Sequence, residues 1–210
     1  MRLVVLTDEA LRKELLSVGP GDEIDFTWIS NENDFLQHKS ADGFIDLLFD
    51  GTQKRIELLR KLSPGLVVVN SVVMTQTKMH APFVRINGWP GFLKRSIVEA
   101  SNDDEKVRKQ VENFFLFMNK KAEWLADEPG FVAARVIAMI INEAYLALGE
   151  QVSTKQDIDI AMKLGTNYPY GPFEWADQIG QKNLFMLLNE MCHTNARYAP
   201  APILQSEALQ

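Results

Sequence analysis

A single cysteine, Cys192, stands in a chain of 210 residues, so no disulfide can close within it and a reducing, cytoplasmic setting is expected. Histidine is scarce too: His38, His80 and His193 are scattered with no carboxylate at ligand spacing beside them, and no metal site is expected. Long apolar runs are missing. The nearest, FVAARVIAMIINEAYLAL at 131–148, is interrupted by Arg135 and by Asn142-Glu143, short of the ~18–20 apolar residues a membrane span needs. It reads as a buried helix, and no membrane partner is expected. The opening MRLVVLTDEALRKELL turns acidic and amphipathic after a few apolar residues, unlike a secretory signal. Positive charge is in deficit, with 22 Lys and Arg against 28 Asp and Glu for a net of −6, which excludes a general attraction for phosphate backbones; nucleic acid is not an expected partner.

What remains, 46% apolar, 10% aromatic and 24% charged residues, is the composition of a globular chain with one large domain or two small ones. The first half alternates short β-branched runs with helical patterns, the signature of an α/β domain with a mostly parallel sheet. RLVVL (2–6) is the first strand, and Asp8 then stands as N-cap to a helix with Leu11, Leu15 and Leu16 at helical spacing. Strands are expected at 24–29 and 43–49, separated by polar NENDFLQHKSAD, then a helix over 53–62 and an all-apolar strand LVVV (66–69) of the kind found at a sheet centre. PFVRI, SIVEA, a helix over about 103–119 and a short AEWL strand complete the sheet. Asp127-Glu128-Pro129-Gly130 is rich in breakers and marks the expected boundary, beyond which the pattern is helical: about 131–149, a helix capped by Ser153-Thr154, then 173–180 and 181–194.

The most specific stretch is DIDIAMKLGTNYPYGPFEWADQIG at 157–180, followed by Arg197-Tyr198 and Pro200 to Leu204. Read from its residues alone it encodes structure: Gly165 as a helix C-cap, a turn forced by Pro169 and Gly171-Pro172, and Glu174 in the first turn of the next helix, where the macrodipole favours it. The same residues closely resemble the C-terminal helical domain of the L-3-hydroxyacyl-CoA dehydrogenases, with every fixed position of D-I-D-x-A-M-K-x-G-x-x-x-P-x-G-P-F-x-x-x-D-x-x-G present. The resemblance runs over roughly 41–205 and is strongest from 128 on. It implies a Rossmann-like N-terminal sheet domain, here shortened, and oxidation of a 3-hydroxyacyl-CoA by NAD with a histidine as general base, a glutamate orienting it, and a serine and an asparagine on the substrate oxygens.

Where the family has the base histidine twelve residues before that glutamate, this chain has Asn87 twelve before Glu99, and an amide cannot accept a proton at neutral pH. Ala134 replaces the asparagine before the family arginine, and NSVVMTQT replaces S-N-T-S, leaving Asn70 and Ser71 as its polar remnants. A dinucleotide site needs G-x-G-x-x-G after the first strand, so that backbone amides approach the pyrophosphate. Here Thr7-Asp8-Glu9-Ala10-Leu11 puts side chains and two carboxylates there. Trp89, Phe92, Met74 and Met79 are candidates for an acyl pocket, or plain core.

The expectation is therefore an α/β chain with a degenerate Rossmann-like domain at 1–127 and a helical dimerisation domain at 128–210 of the 3-hydroxyacyl-CoA dehydrogenase type. Candidate site residues are Glu99, Asn87 at the family histidine position, Asn70 and Ser71. Two functions stay open: a 3-hydroxyacyl-CoA dehydrogenase of fatty-acid or butanoate metabolism with impaired or lost catalysis, or a non-catalytic acyl-CoA-binding or regulatory relative. No cofactor is expected to bind tightly, although the family uses NAD. A homodimer is expected, because apolar residues Phe173, Trp175, Leu184, Phe185, Leu187 and Leu188 exceed what a small helical domain buries alone.

Overall fold

The computed structural model describes residues 1–21 and 23–210, which divide into two compact units, Met1–Phe131 and Val132–Gln210. In the first unit β1 (Arg2–Leu6) leads through α1 (Glu9–Leu15) to β2 (Asp25–Ile29), and a 3-10 helix (Glu32–His38) precedes β3 (Gly43–Asp46). There follow α2 (Gln53–Arg60), β4 (Leu66–Asn70), the single turn α3 (Gln76–Met79), β5 (Val84–Ile86), β6 (Ile97–Ser101), α4 (Glu105–Phe117) and β7 (Lys121–Trp124). The described strands form a seven-stranded sheet in the order β2-β1-β3-β4-β5-β6-β7, parallel except where β5 meets β6.

Side chains of a strand alternate between the two faces, and both faces here are covered. Leu3, Val5, Ile45, Val68, Val84 and Val98 pack on one side with Leu11 and Leu15 of α1 and Val111, Phe114 and Phe115 of α4. Val4, Leu6, Phe44, Val67 and Val69 pack on the other with Ile56 and Leu59 of α2 and with Phe35. β4 lies fourth of the seven, as its unbroken apolar run requires. One strand expectation is corrected. β3 stops at Asp46 rather than Phe49, because the Asp46 carboxylate turns the chain by accepting the Leu48 amide at 3.1 Å. The polar stretch after β2 is a 3-10 helix, capped by Asn31 and anchored by fully buried Phe35.

The second unit is helical: α5 (Ala133–Gly149), α6 (Lys155–Thr166), α7 (Pro172–Ile179), α8 (Gln181–Cys192), a short 3-10 turn (Ala196–Tyr198) and α9 (Pro202–Ala208). α5 is the central helix, touching α7, α8 and α9. The helices thereby close on one another, and Phe173, Trp175, Leu184, Leu187 and Leu188 are all buried in the chain itself. The apolar surface left uncovered is a different set, among it Val132, Val136, Ile160 and Leu164. Gly165 is not the C-cap of α6. That helix runs one residue further and ends on Asn167 at φ 56°, since asparagine also tolerates the left-handed region a C-cap needs.

Candidate functional site

The antiparallel register of β5 and β6 pairs Arg85 with Ser101 and Ile86 with Ala100, so the next pair out is Asn87 with Glu99. The Asn87 amide N–H donates to the Glu99 carbonyl at 3.0 Å, and directly opposed residues place their side chains on one face of the sheet. There Asn87 Nδ2 donates to Glu99 Oε2 at 2.8 Å. The twelve-residue spacing is thus a cross-strand contact. Asn87 is buried, and its Oδ1 accepts the Trp89 amide at 3.4 Å. The pair can hold and orient a hydrogen-bonding group, but nothing at position 87 can take up a proton.

Asn70, at the end of β4, is drawn to the same place. Its Nδ2 donates to the carbonyls of Leu47 and Gly88, both at 3.1 Å, and its Oδ1 accepts the Gly88 amide at 2.9 Å. Both polar ends of this side chain are committed to backbone, and glycine is required at 88 because a Cβ there would lie 2.8 Å from Asn70 Cγ. Asn70 therefore clamps the residue that follows Asn87. Ser71 is buried with its hydroxyl donating to the Met74 carbonyl at 2.7 Å, which closes its own turn. Met79 belongs to the sheet core, and Trp89 and Phe92 are buried.

The sequence reading missed the residues that hold the 88–96 segment. Glu14 on α1 accepts the Gly91 amide with both oxygens, at 2.7 and 2.9 Å, and Ser17 Oγ donates to the Lys94 carbonyl at 3.2 Å. Lys120, just before β7, is 2% exposed; its Nζ donates to the carbonyls of Leu93 and, at 3.0 Å, of Arg95. Burial pushes the Lys120 ammonium down to about 8, against the opposing pull of Glu14. No sequence signal marks the three, because Glu14 and Ser17 read as polar positions in and just after a short amphipathic helix and Lys120 as half of a Lys-Lys pair.

Doubly wound sheets take ligands at the carboxyl ends of the strands where the connections part company, here β1 and β3. At the end of β1, Asp8 Oδ1 accepts the Leu11 amide at 2.8 Å, so the first turn of α1 is capped from within, and Glu9 lies 3.6 Å from Lys13. A pyrophosphate would meet carboxylates where it needs free amides. These residues do not fit NAD. At the end of β3 stands Asp46, fully buried, with Oδ2 lacking a hydrogen-bond partner among the described residues and Arg55 Nε 3.6 Å away. Burial pushes its carboxyl up to about 7 despite Arg55. Sequence reading had taken this position as ordinary strand.

In the helical unit the signature residues act on one another. Thr154 Oγ1 accepts the Asp157 amide at 3.2 Å as N-cap of α6, Asp159 Oδ1 accepts the Phe173 amide at 2.8 Å, and Glu174 Oε2 accepts the Gly171 amide at 2.9 Å while its other oxygen binds Lys163. Asn142 spans the return of the chain, donating to the Ala199 carbonyl and accepting the Ala201 amide. Ala134 is fully buried on α5. Among the described residues no three His, Cys, Asp or Glu side chains converge as a metal site would need, and no helix is long and apolar enough to cross a membrane.

Residues 130–209 match the family described as 3-hydroxyacyl-CoA dehydrogenase, C-terminal domain. The 3-hydroxyadipyl-CoA dehydrogenase of Escherichia coli (strain K12) is 34% identical over 163 residues, which is 72% of this chain and 34% of that protein. A probable 3-hydroxybutyryl-CoA dehydrogenase of Bacillus subtilis (strain 168) is 40% identical over 91 residues, 42% of this chain and 31% of the relative. The matched stretch thus spans about a third of the length of either relative. Among solved structures, the (S)-3-hydroxybutyryl-CoA dehydrogenase of Ralstonia eutropha superposes with a TM-score of 0.75 at 18% identity over 98% of this chain and 92% of that one, a likeness of fold. The Escherichia coli 3-hydroxybutyryl-CoA dehydrogenase gives a TM-score of 0.60 at 32% identity over 68% of this chain and 31% of that one. The helical unit, which carries the whole signature, is thus of the 3-hydroxyacyl-CoA dehydrogenase C-terminal type, and the sheet unit before it has the Rossmann-like fold of the solved dehydrogenases.

Proposed function

We propose that this chain is a non-oxidising member of its family, a protein that binds a 3-hydroxyacyl- or 3-oxoacyl-CoA without transferring hydride to NAD. The observation that carries the reading is the Asn87–Glu99 pair: the amide keeps a 2.8 Å hydrogen bond to the glutamate, so the hydrogen-bonding geometry is kept while the proton acceptor that dehydrogenation demands is gone. The capped first turn of α1 supports it from the cofactor side. The ligand class follows from the names of the relatives, which act on 3-hydroxyadipyl- and 3-hydroxybutyryl-CoA.

The assembly we propose is a homodimer through the helical unit, supported by exposed Val132 just before α5, Val136 on α5, and Ile160 and Leu164 on α6. Calorimetric titration with 3-hydroxybutyryl-CoA and with NADH tests the ligand reading: the thioester binds, and NADH binds more weakly than millimolar. A micromolar NADH constant overturns it. Light scattering that returned a 23.8 kDa particle at micromolar concentration would overturn the dimer.

A further inference from the structure

We propose that Glu14 and Lys120 are positioning residues for Asn87, holding the backbone of the 88–96 segment from two separate elements so that the Asn87 amide stays against Glu99. The inference rests on the reading of Asn87 and Glu99 as the ligand-facing pair. The segment joining β5 to β6 has little structure of its own: its internal backbone bonds are Phe92 N–H to the Trp89 carbonyl at 3.0 Å and Arg95 N–H to the Phe92 carbonyl at 3.4 Å. Two turn bonds cannot fix the direction in which a strand end hands over to a connection.

The fixed points come from outside. Asn70 grips Gly88, next to Asn87. Three residues on, Glu14 takes the Gly91 amide with both carboxylate oxygens, a charge-assisted bond of the stronger kind. Two residues further, Lys120 supplies donors to the Leu93 and Arg95 carbonyls. Burying an ammonium costs several kcal/mol. A methionine would fill the same volume without that cost and would leave both carbonyls unbonded. The two charges act on each other as well, since Glu14 opposes the fall in the Lys120 pKa that burial causes. An acidic residue and a basic one thus bracket the segment, the acid on an N–H and the base on C=O groups. Instead of presenting α1 to a pyrophosphate, as a dinucleotide-binding sheet would, this region ties down the connection through Glu14 in α1 and Ser17 just beyond its end.

The test uses the full chain and nuclear magnetic resonance of the Asn87 side-chain amide, whose bond to Glu99 is expected to slow its exchange with water. In Glu14→Ala and Lys120→Met we expect that exchange, and the exchange of the Gly91 backbone amide, to rise roughly ten-fold or more, the order expected when a charge-assisted bond is removed. Glu14→Gln, which keeps one acceptor, falls between. Amides of Val5 and Ile45 in the central strands keep their protection, which separates positioning from general loosening. If Lys120→Met does not fold, the two Glu14 variants decide. Unchanged Asn87 exchange in folded variants whose Gly91 amide is freed overturns the proposal. The same samples titrated with 3-hydroxybutyryl-CoA keep the two readings apart: a wild-type chain that does not bind sinks the ligand reading and leaves the exchange result standing.

Discussion

Asp159 fills the space that a side chain at position 171 would occupy. Its carboxylate reaches from α6 to the Phe173 amide at 2.8 Å, and a methyl group built on Gly171 would overlap Cβ, Cγ and Oδ1 of Asp159. The aspartate and the glycine of the family signature are two halves of one contact, in which a buried carboxylate caps α7 only because nothing projects from the residue before it.

Gly171→Ala is therefore expected to lose about 1–3 kcal/mol of stability through overpacking. The overlap involves the stem of Asp159, not a free side-chain end, so it cannot be relieved by a rotation alone. In Asp159→Gly the cap is lost but the space opens, Cβ included, so the double variant is expected to be more stable than the sum of the two losses predicts. Urea unfolding of the four proteins measures this; strict additivity would show that the two residues do not share the space.

Arg85 and Asp127 form a second such closure inside the sheet unit. Arg85 is fully buried and donates to Asp127 and to the carbonyls of Ser71, Val72 and Glu128, while Asp127 also accepts the amides of Gln76 and Thr77. Removing one partner of a buried pair leaves an uncompensated charge, so Arg85→Met should cost about 3–5 kcal/mol. Burial works to raise the Asp127 carboxyl, but the Thr77 and Gln76 amides and Arg85 hold it below the usual carboxylate range. A depressed value means stability that is present above the unfolded pKa of about 4 and is lost as pH falls through the folded one. Asp127→Asn should be less stable at pH 7 and show a shallower acid limb below about pH 4. Denaturation at pH 7 and pH 3 checks both, and an acid limb as steep as the wild type's would show that Asp127 is not a source of it.

The parts of this chain that local pattern controls could be read from it. The Leu3/Val5 against Val4/Leu6 alternation, the Asp8 and Thr154 caps and the unbroken LVVV run each carry their physical cause within a few residues. The Asn87–Glu99 contact was legible only as a twelve-residue spacing taken from a family; that it is a cross-strand pair depends on the β5–β6 register, which no local signal sets. Glu14, Lys120 and Asp46 were illegible because their partners are backbone atoms or charges 77, 27 and 9 positions away, and a charged residue in a short polar context looks the same whether it faces water or a buried carbonyl. The apolar residues of α7 and α8 misled for the opposite reason: hydrophobicity tells that a side chain is covered, and α5 rather than a second subunit does the covering.

Asp46 offers a test of opposite sign to Asp127. Its folded pKa is raised to about 7 by burial, so its contribution to stability is fully present below the unfolded value of about 4 and is lost as pH rises through 7. Asp46→Asn keeps an acceptor for the Leu48 amide and carries no charge. Relative to wild type it should gain roughly 2–3 kcal/mol between pH 5 and pH 8, at about 1.4 kcal/mol per unit up to the folded pKa. Thermal or urea unfolding across that range measures the difference. A gap that did not change with pH would mean that Arg55, 3.6 Å away, keeps Asp46 ionised throughout.

Restoring one residue should restore the pairing and not the reaction. In Asn87→His the imidazole would stand opposite Glu99 in the same register, and the neighbouring carboxylate should raise its pKa above the ordinary histidine value of about 6.5, as resonance titration of the new side chain would show. A general base contributes typically ~10²- to 10⁴-fold to rate, but it acts only on a substrate whose hydride has somewhere to go. Asp8 still caps α1 with the amide of Leu11 in this variant, and Glu9 still stands beside it, so the first turn offers a dinucleotide repulsion where attraction is needed. Both the wild type and Asn87→His are accordingly expected to form no NADH from 3-hydroxybutyryl-CoA at several millimolar NAD. Turnover above about 1 s⁻¹, a low value for a working enzyme, would overturn this for either protein. In the wild type it would mean that a group other than position 87 serves as the base; in the variant alone, that the missing histidine was the sole defect and the α1 terminus accepts the cofactor after all.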